Sequence, residues 1–235
     1  MYIIKNDKYR KHIFKKYYDK IYRLQYIRFN PALTQNLNKV NKKTEFQLDL
    51  EDELLSKNIQ YYIAGEFTAV HTTKSYNNIR SITMIGNFVA HLFSHIEVKK
   101  HNTLIHEIEY PGIATTIKGR SEYPGLNTYN DKAINSGFKT HIGYEGPEFE
   151  AVGNLGSLGL GFFSDITVQI YRGGFKILFT RNSDNNVIYR WKPNEDDKDD
   201  AASLPAKGKM TINPFYLRVP VTEYNNISQI TLIKE

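Results

Sequence analysis

Hydrophobic and polar residues alternate along much of the chain after residue 45. Residues 59–71 show this pattern well, because Tyr61, Ile63 and Phe67 recur at even spacing between polar or small residues. Such alternation is typical of a β-strand with one buried face. Similar short runs, each bounded by turn residues, predict further strands at 46–50, 166–171, 175–181, 187–191, 209–219 and 227–233.

Residues 82–98 carry two different patterns. Phe88, Leu92 and Phe93 lie at helical spacing, whereas the residues that follow, HIEVKK, alternate as a strand does. A turn at 99–102 would then lead into a return strand from Thr103 to Ile108. The pattern of 82–98 leaves helix and strand both open, and it favours a β-hairpin through 99–102.

Residues 119–161 are rich in Gly, Pro, Asn and Tyr, and they predict a long surface excursion rather than a regular element. Counted in this way, the chain has eight to ten strands and little helix. This content predicts an all-β fold, a jelly-roll sandwich of about eight antiparallel strands. Periodicity alone does not separate a jelly roll from an immunoglobulin-like sandwich.

Positive charge is concentrated at the N-terminus. The 235-residue chain has a formal net charge of +6, yet residues 1–43 hold twelve Lys or Arg against two Asp, so the remainder is acidic. Ile13, Tyr17, Ile21 and Leu24 lie at spacings that allow one apolar helical stripe, which Pro31 would end. We therefore expect a basic N-terminal arm at 1–44 and a jelly-roll domain at 45–235.

The arm has the composition of a phosphate-binding segment. Its cations would neutralise phosphates and release counterions, and its tyrosines could stack on bases. Alternatively, its apolar residues could pack on a neighbouring subunit, and the two roles are compatible. The candidate nucleic-acid-binding residues are Lys5, Lys8, Arg10, Lys11, Lys15, Lys16, Lys20, Arg23 and Arg28.

No pattern indicates a catalytic or metal site. His91 and His95 share a zinc-like spacing, but Leu92 follows His91 where the HExxH motif has Glu. The acidic run 195–200 lacks the spaced ligands of a calcium loop, and the Gly-rich run 153–161 lacks the GK[ST] of a phosphate loop. With no GxSxG motif either, we expect no catalytic residues, no metal and no cofactor.

The chain contains no cysteine, so disulfides and thiol chemistry are excluded. Its N-terminus has no apolar run of signal-peptide length, and no window approaches 18 uninterrupted apolar residues. We therefore expect a soluble, unsecreted protein without a membrane partner.

Three segments together resemble double jelly-roll viral major capsid proteins. The first matches an FxxxLFxxI run and then a GxxxT(I/L)K turn, the second places Gly161-Phe162-Phe163 before a strand and the RNSDNN loop, and the third matches a closing KxTI to RVP strand. In this sequence the matching positions are Phe88, Leu92, Phe93, Ile96, Gly112, Thr115, Thr116, Ile117, Lys118, Arg181 to Asn186, Lys209 to Ile212, and Tyr216 to Pro220. The resemblance covers residues 46–222.

The resemblance implies a capsid building block without catalytic residues, of the kind found in DNA viruses, virus-derived mobile elements and insect genomes. Such a subunit would form homo-oligomeric capsomers and shells, and it would reside in a virion or virus-like particle assembled in the host cytoplasm or nucleus. Fifteen residues follow Pro220, so the match is to the first roll, and we expect a one-roll derivative or a truncated or processed chain. The alternatives are a ligand- or carbohydrate-binding β-sandwich and a host-adapted relative that is not a capsid protein.

Overall fold

A computed structural model describes residues 21–32, 37–49, 54–55, 58–70, 82–122, 148–165, 170–171, 174–190 and 207–224. These residues form twelve strands, three α-helices and two 3₁₀ turns. The strands are β1 (Ile21–Phe29), β2 (Lys43–Leu48), β3 (Leu54–Leu55), β4 (Gln60–Val70), β5 (Ile82–Met84), β6 (Phe93–Lys100), β7 (Thr103–Glu109), β8 (Glu148–Asn154), β9 (Ile170–Tyr171), β10 (Phe175–Arg181), β11 (Ile188–Arg190) and β12 (Lys207–Tyr224). The helices are α1 (Phe88–His91), α2 (Pro111–Glu122) and α3 (Gly161–Asp165), and the 3₁₀ turns are Leu155–Leu158 and Asp184–Asn186.

Two antiparallel sheets make up the sandwich. Sheet 1 has six strands and is organised around the long strand β12, which pairs with β4 and β3 on one edge and with β1 on the other. Strands β8 and β9 lie outside β4 and β3, so the sheet is four strands wide. Sheet 2 has the order β2-β10-β6-β7, and β5 and β11 form a separate pair. The fold is an all-β jelly-roll sandwich, as the sequence predicted.

Aromatic side chains join the two sheets. Phe215 of β12 lies 4.9 Å from Phe46, 5.2 Å from Phe179 and 5.7 Å from Phe93, measured between ring centroids. Phe46 belongs to β2, Phe93 to β6 and Phe179 to β10, so one ring of sheet 1 contacts three strands of sheet 2. Edge-to-face and offset contacts at these distances add to the hydrophobic gain from burial.

Strand β1 revises the predicted arm. Ile21 and Leu24, which were assigned to a helical stripe, lie in a strand that pairs with β12 from Tyr224 to Leu217. Ile27 and Phe29 pack against the core, whereas Tyr26 and Arg28 are exposed, which is strand periodicity. Pairing with the open edge of β12 gives this segment backbone hydrogen bonds along most of its length. Four residues at helical spacing offer no comparable stabilisation. Residues 21–32 and 37–44 thus join the sandwich, and 1–20 lie outside the described residues.

Two other segments also differ from expectation. Glu148–Asn154, placed in the surface excursion, forms β8 of sheet 1. Its side chains alternate between solvent and core, with Phe149 buried between the exposed Glu148 and Glu150. The GxxxT(I/L)K segment, expected as a turn, is part of the helix α2. The hairpin after residue 98 is confirmed by β6 and β7. The rest of the excursion at 123–147, the acidic run 195–200 and the strand predicted at 227–233 lie outside the described residues.

Tertiary contacts explain why α2 is helical despite its Gly and β-branched residues. The Asn87 amide donates to the Thr115 hydroxyl at 2.5 Å, and that hydroxyl donates to the Pro111 carbonyl at 2.6 Å. A Cβ on Gly112 would lie 2.3 Å from the His91 ring, so only glycine permits this approach of α2 to α1. Local propensity is weak here, and packing decides the conformation.

Candidate assembly surfaces

The candidate nucleic-acid-binding residues are divided by the fold. Lys5, Lys8, Arg10, Lys11, Lys15, Lys16 and Lys20 lie outside the described residues, and Arg23 lies within β1. Arg28 is exposed on the outer face of sheet 1, where its guanidinium lies 3.9 Å from the centroid of the Tyr216 ring and its Nε donates to Asn30 at 3.0 Å. Whether these residues bind nucleic acid stays a prediction.

Two stacked tyrosine rings lie on the outer face of sheet 1. Tyr62 of β4 and Tyr216 of β12 are cross-strand partners, with centroids 4.6 Å apart and planes inclined by 15°. Arg28 covers Tyr216 from β1. Partial burial, together with the charge and the hydrogen bond of the Glu150 carboxylate, raises the pKa of Tyr62. The centre of this face is therefore ordered by contacts within the chain.

Charges at the ends of the same face are arranged differently. Arg28 and Arg218 are cross-strand partners on β1 and β12, and both are exposed. Glu66 and Glu148 are cross-strand partners on β4 and β8, and both are exposed as well. Like charges directly opposite each other destabilise a sheet. One end of the face thus carries two arginines and the other two glutamates, and Lys209 of β12 is exposed near the glutamates.

The outer face of sheet 2 has opposite charges side by side. The Glu97 carboxylate lies 2.7 Å from the Lys43 ammonium and 2.5 Å from that of Lys99. Burial opposes ionisation of Glu97, but the hydrogen bonds and charges of these lysines lower its pKa to about 2. Lys176 and Glu45 form a further pair at 3.5 Å. Two like-charged pairs of cross-strand partners on this face, Lys99 with Lys176 and Glu97 with Glu107, therefore have oppositely charged or histidine neighbours within the chain.

An apolar strip lies on β7 and α2. Of the eight large hydrophobic residues that are exposed in the described part of the chain, five fall between residues 104 and 117. They are Leu104, Ile105, Tyr110, Ile113 and Ile117, and Ile117 is 66% exposed. Within the described residues β7 pairs with β6 alone, so it forms an edge of sheet 2. We refer to these five residues as the apolar strip.

The RNSDNN loop, noted in the sequence only as one of the capsid-like motifs, contains a buried polar network. Arg181 is 2% exposed and donates to the carbonyls of Leu37 at 3.1 Å and Leu92 at 2.9 Å. It also pairs with Asp184, whose other oxygen accepts the Met210 backbone N–H. Burial lowers the pKa of Arg181, and the Asp184 carboxylate opposes that shift. The network joins sheet 2 to β12 and to residues 37–42.

The two histidines of the zinc-like spacing lie on different elements. His91 ends α1, with its Nε2 3.4 Å from the Thr116 hydroxyl, whereas His95 lies on β6 near Glu97 and Glu107. Burial lowers the pKa of His91. Among the described residues no three His, Asp or Glu side chains are grouped as metal ligands. The Gly-rich run forms β8, a 3₁₀ turn and a left-handed Gly159, with Leu155 and Leu158 buried.

None of the helices in the described part of the chain has both the length and the apolar character needed to cross a membrane. No protein-family model matches the sequence, and no curated protein shows significant sequence similarity to it.

Solved structures do match the fold. The Faustovirus major capsid protein aligns with a TM-score of 0.50 and 10% sequence identity, over 91% of this chain and 56% of that one. A chain from the cryo-EM structure of the Sputnik virophage also aligns with a TM-score of 0.50, at 8% identity, over 88% of this chain and 49% of that one. This chain therefore spans about half the length of each. The structure has the jelly-roll fold of the double jelly-roll major capsid proteins that the sequence motifs resemble.

Proposed function

We propose that this protein is a non-catalytic structural subunit that assembles with copies of itself into a capsid-like shell. The apolar strip carries the proposal. Leu104 and Ile105 lie on the edge strand β7, whose outer backbone groups have no partner strand among the described residues, and Tyr110, Ile113 and Ile117 follow it along the chain. Exposed strand edges and exposed apolar side chains both favour association with another chain.

Burial of these side chains in a contact would favour assembly. Burying one Ile or Leu side chain contributes about 1.5–3 kcal/mol. The strip offers three Ile and one Leu, together with Tyr110. A shell repeats each contact many times, so a modest gain at each interface stabilises the whole particle. The fold of viral capsid proteins supports the same role, and the working location would be a virion or virus-like particle.

The test is assembly of the purified full chain, followed by light scattering and electron microscopy. We expect particles or large oligomers, and we expect the double variant Ile113→Gln/Ile117→Gln to abolish them. Both residues are exposed, so folding should be retained. Val40→Gln serves as the matched control, because Val40 is 49% exposed but lies outside the strip. A wild-type chain that stays monomeric at all salt concentrations would contradict the proposal.

We further propose that the basic residues before β1 contact packaged nucleic acid or a neighbouring subunit. Removal of residues 1–20 leaves β1 intact, and Lys39→Gln/Lys42→Gln removes exposed cations next to β2 as a control. If the segment binds nucleic acid, the truncation should weaken binding of single-stranded DNA and flatten its salt dependence. Unchanged DNA binding with lost particles would instead assign the segment to a subunit contact.

A further inference from the structure

A row of hydrogen-bond donors crosses the outer face of sheet 1. Arg28 of β1 lies opposite Arg218 of β12. Arg218 also lies opposite Gln60 of β4, which in turn lies opposite Asn154 of β8. Directly opposite residues share one face of a sheet, and the buried Leu217 next to Arg218 shows that this row points outward. We refer to these four residues as the donor row, which spans about 14 Å across the strands.

Most donors of this row are not used within the chain. The side chains of Arg218, Gln60 and Asn154 form no hydrogen bond or ion pair with any other described residue. Arg28 uses its Nε, which donates to Asn30 at 3.0 Å, and its two terminal nitrogens remain available. Two arginines directly opposite each other repel, which destabilises a sheet. A bound anion would offset that cost.

Arg28 is oriented by contacts within the chain. Its guanidinium lies 3.9 Å from the centroid of the Tyr216 ring, which stacks on Tyr62. The hydrogen bond to Asn30 holds the same group from a second side. An oriented guanidinium loses less side-chain entropy on binding, and its planar fork matches the oxygens of a phosphate. The arginine end of the row is therefore suited to a phosphate group.

The rows on either side of the donor row are uncharged. One contains Tyr62, Tyr216 and Val152, and the other contains Tyr26 and Pro220. Tyr26 is 55% exposed, and it lies two residues from an arginine of the donor row on the same strand. An exposed aromatic ring beside phosphate-binding cations is a surface on which a nucleic-acid base can stack.

We propose that the donor row binds the phosphodiester backbone of single-stranded nucleic acid, with a base stacked on Tyr26. A single strand combines anionic oxygens with exposed flat rings, whereas an acidic peptide lacks the rings and a duplex has its bases paired inside. The seven Lys and Arg of residues 1–20 directly precede β1 and extend the positive charge from the same edge strand. The inference rests on the proposed nucleic-acid contact of those residues, and it places part of the contact on the folded domain.

Fluorescence anisotropy of a labelled thymidine oligonucleotide with the full chain tests the arginines. Arg28→Gln/Arg218→Gln should raise Kd about tenfold or more and reduce the salt slope by about 1.4, because each phosphate contact on a single strand contributes about 0.7. Lys39→Gln/Lys42→Gln removes two exposed cations outside sheet 1 and should have little effect on either quantity.

The uncharged members of the site can be tested without changing the net charge. Gln60→Ala/Asn154→Ala should raise Kd about fivefold at a constant salt slope, because the amides donate hydrogen bonds but release no counterions. Tyr26→Ala should raise Kd by about fivefold or more through lost stacking. Thermal unfolding of each variant checks that the fold is retained, which we expect because these side chains are on the outer face.

A single thiol locates the contact, since the chain has no cysteine. Val152→Cys lies in the row next to the donor row, so bound oligonucleotide should slow its reaction with a maleimide. Val40 is 49% exposed and lies outside the strands of sheet 1, so Val40→Cys should react at the same rate with and without the oligonucleotide. Equal rates at both positions would contradict the proposal.

The outcomes separate this site from the proposals on which it rests. Binding that Lys15→Gln/Lys16→Gln weakens but the donor-row variants do not would overturn the donor row and leave the role of residues 1–20 intact. The reverse result supports the donor row alone. A wild-type chain that forms particles but binds no oligonucleotide overturns the donor row while the shell stands. Polyglutamate that competes as well as unlabelled oligonucleotide at equal charge would make the ligand an acidic protein segment and overturn the proposal.

Discussion

The two sheets differ in how the charges on their outer faces are paired, although both place like charges opposite each other on adjacent strands. On sheet 2, Glu97 lies between Lys43 and Lys99, and the face is neutral locally. On sheet 1, Glu66 is opposite Glu148, and Arg28 is opposite Arg218. The charges on sheet 2 thus have partners within the chain, whereas these four charges on sheet 1 form no ion pair among the described residues.

This difference sets how much each face gains from the charges it carries. A solvated face gains a little from pairing its own charges, and exposed pairs are worth less than about 1 kcal/mol each. Like charges that lie opposite each other without such a pair carry a small cost instead. The comparison can be tested with substitutions whose effects on the two faces should differ.

The largest effect should come from Phe215, which both sheets share. Phe215→Ala removes the ring that contacts Phe46, Phe93 and Phe179, and we expect the free energy of unfolding to fall by about 3–5 kcal/mol. Urea denaturation measures this loss. Phe215→Leu, which retains most of the volume, should cost less, and equal losses for the two variants would contradict the packing argument.

Glu97→Gln should reduce stability by a smaller amount. It removes the charge that accepts hydrogen bonds from Lys43 and Lys99, and such charge-assisted bonds contribute about 1.5–3 kcal/mol. Urea denaturation at neutral pH checks the expected loss. No change in the midpoint would mean that sheet 2 does not depend on its own ion pairs.

The pH dependence of the same variant supplies its control. The pKa of Glu97 is lowered from 4.5 to about 2 in the folded protein, so the carboxylate stabilises the fold fully above pH 4.5. This contribution is lost as the pH falls from about 4.5 towards 2, because the unfolded chain binds the proton first. The difference between wild type and Glu97→Gln should therefore shrink over that interval.

The smallest effect should have the opposite sign. Glu148→Gln removes one charge of the Glu66–Glu148 pair and with it their repulsion, so the chain should become more stable by about 0.2–1 kcal/mol. Urea denaturation of the Ile113→Gln/Ile117→Gln chain, in which we expect no assembly, measures this gain for the single subunit. A loss of stability would show that repulsion between Glu66 and Glu148 does not destabilise the folded chain.

Sequence reasoning found some of the candidate surfaces and missed others. Leu104, Ile105 and Ile108 were recognised as a strand, but the exposure of the first two depends on β7 being an edge, which periodicity does not reveal. Arg28 was selected for its charge, and its opposition to Arg218 depends on a pairing between residues 190 positions apart. The Gly112 motif was noticed, but its contact with His91 required the fold.

The sequence by itself determined the all-β class, the hairpin of β6 and β7 and the resemblance to capsid proteins, because alternation, turn residues and short motifs are local signals. Tertiary structure decided that residues 21–29 form a strand, that α2 is helical and that like charges meet on sheet 1. These features depend on partners distant in sequence. Hydrogen bonds at an open strand edge, close packing around a glycine and cross-strand register arise only when the chain is folded.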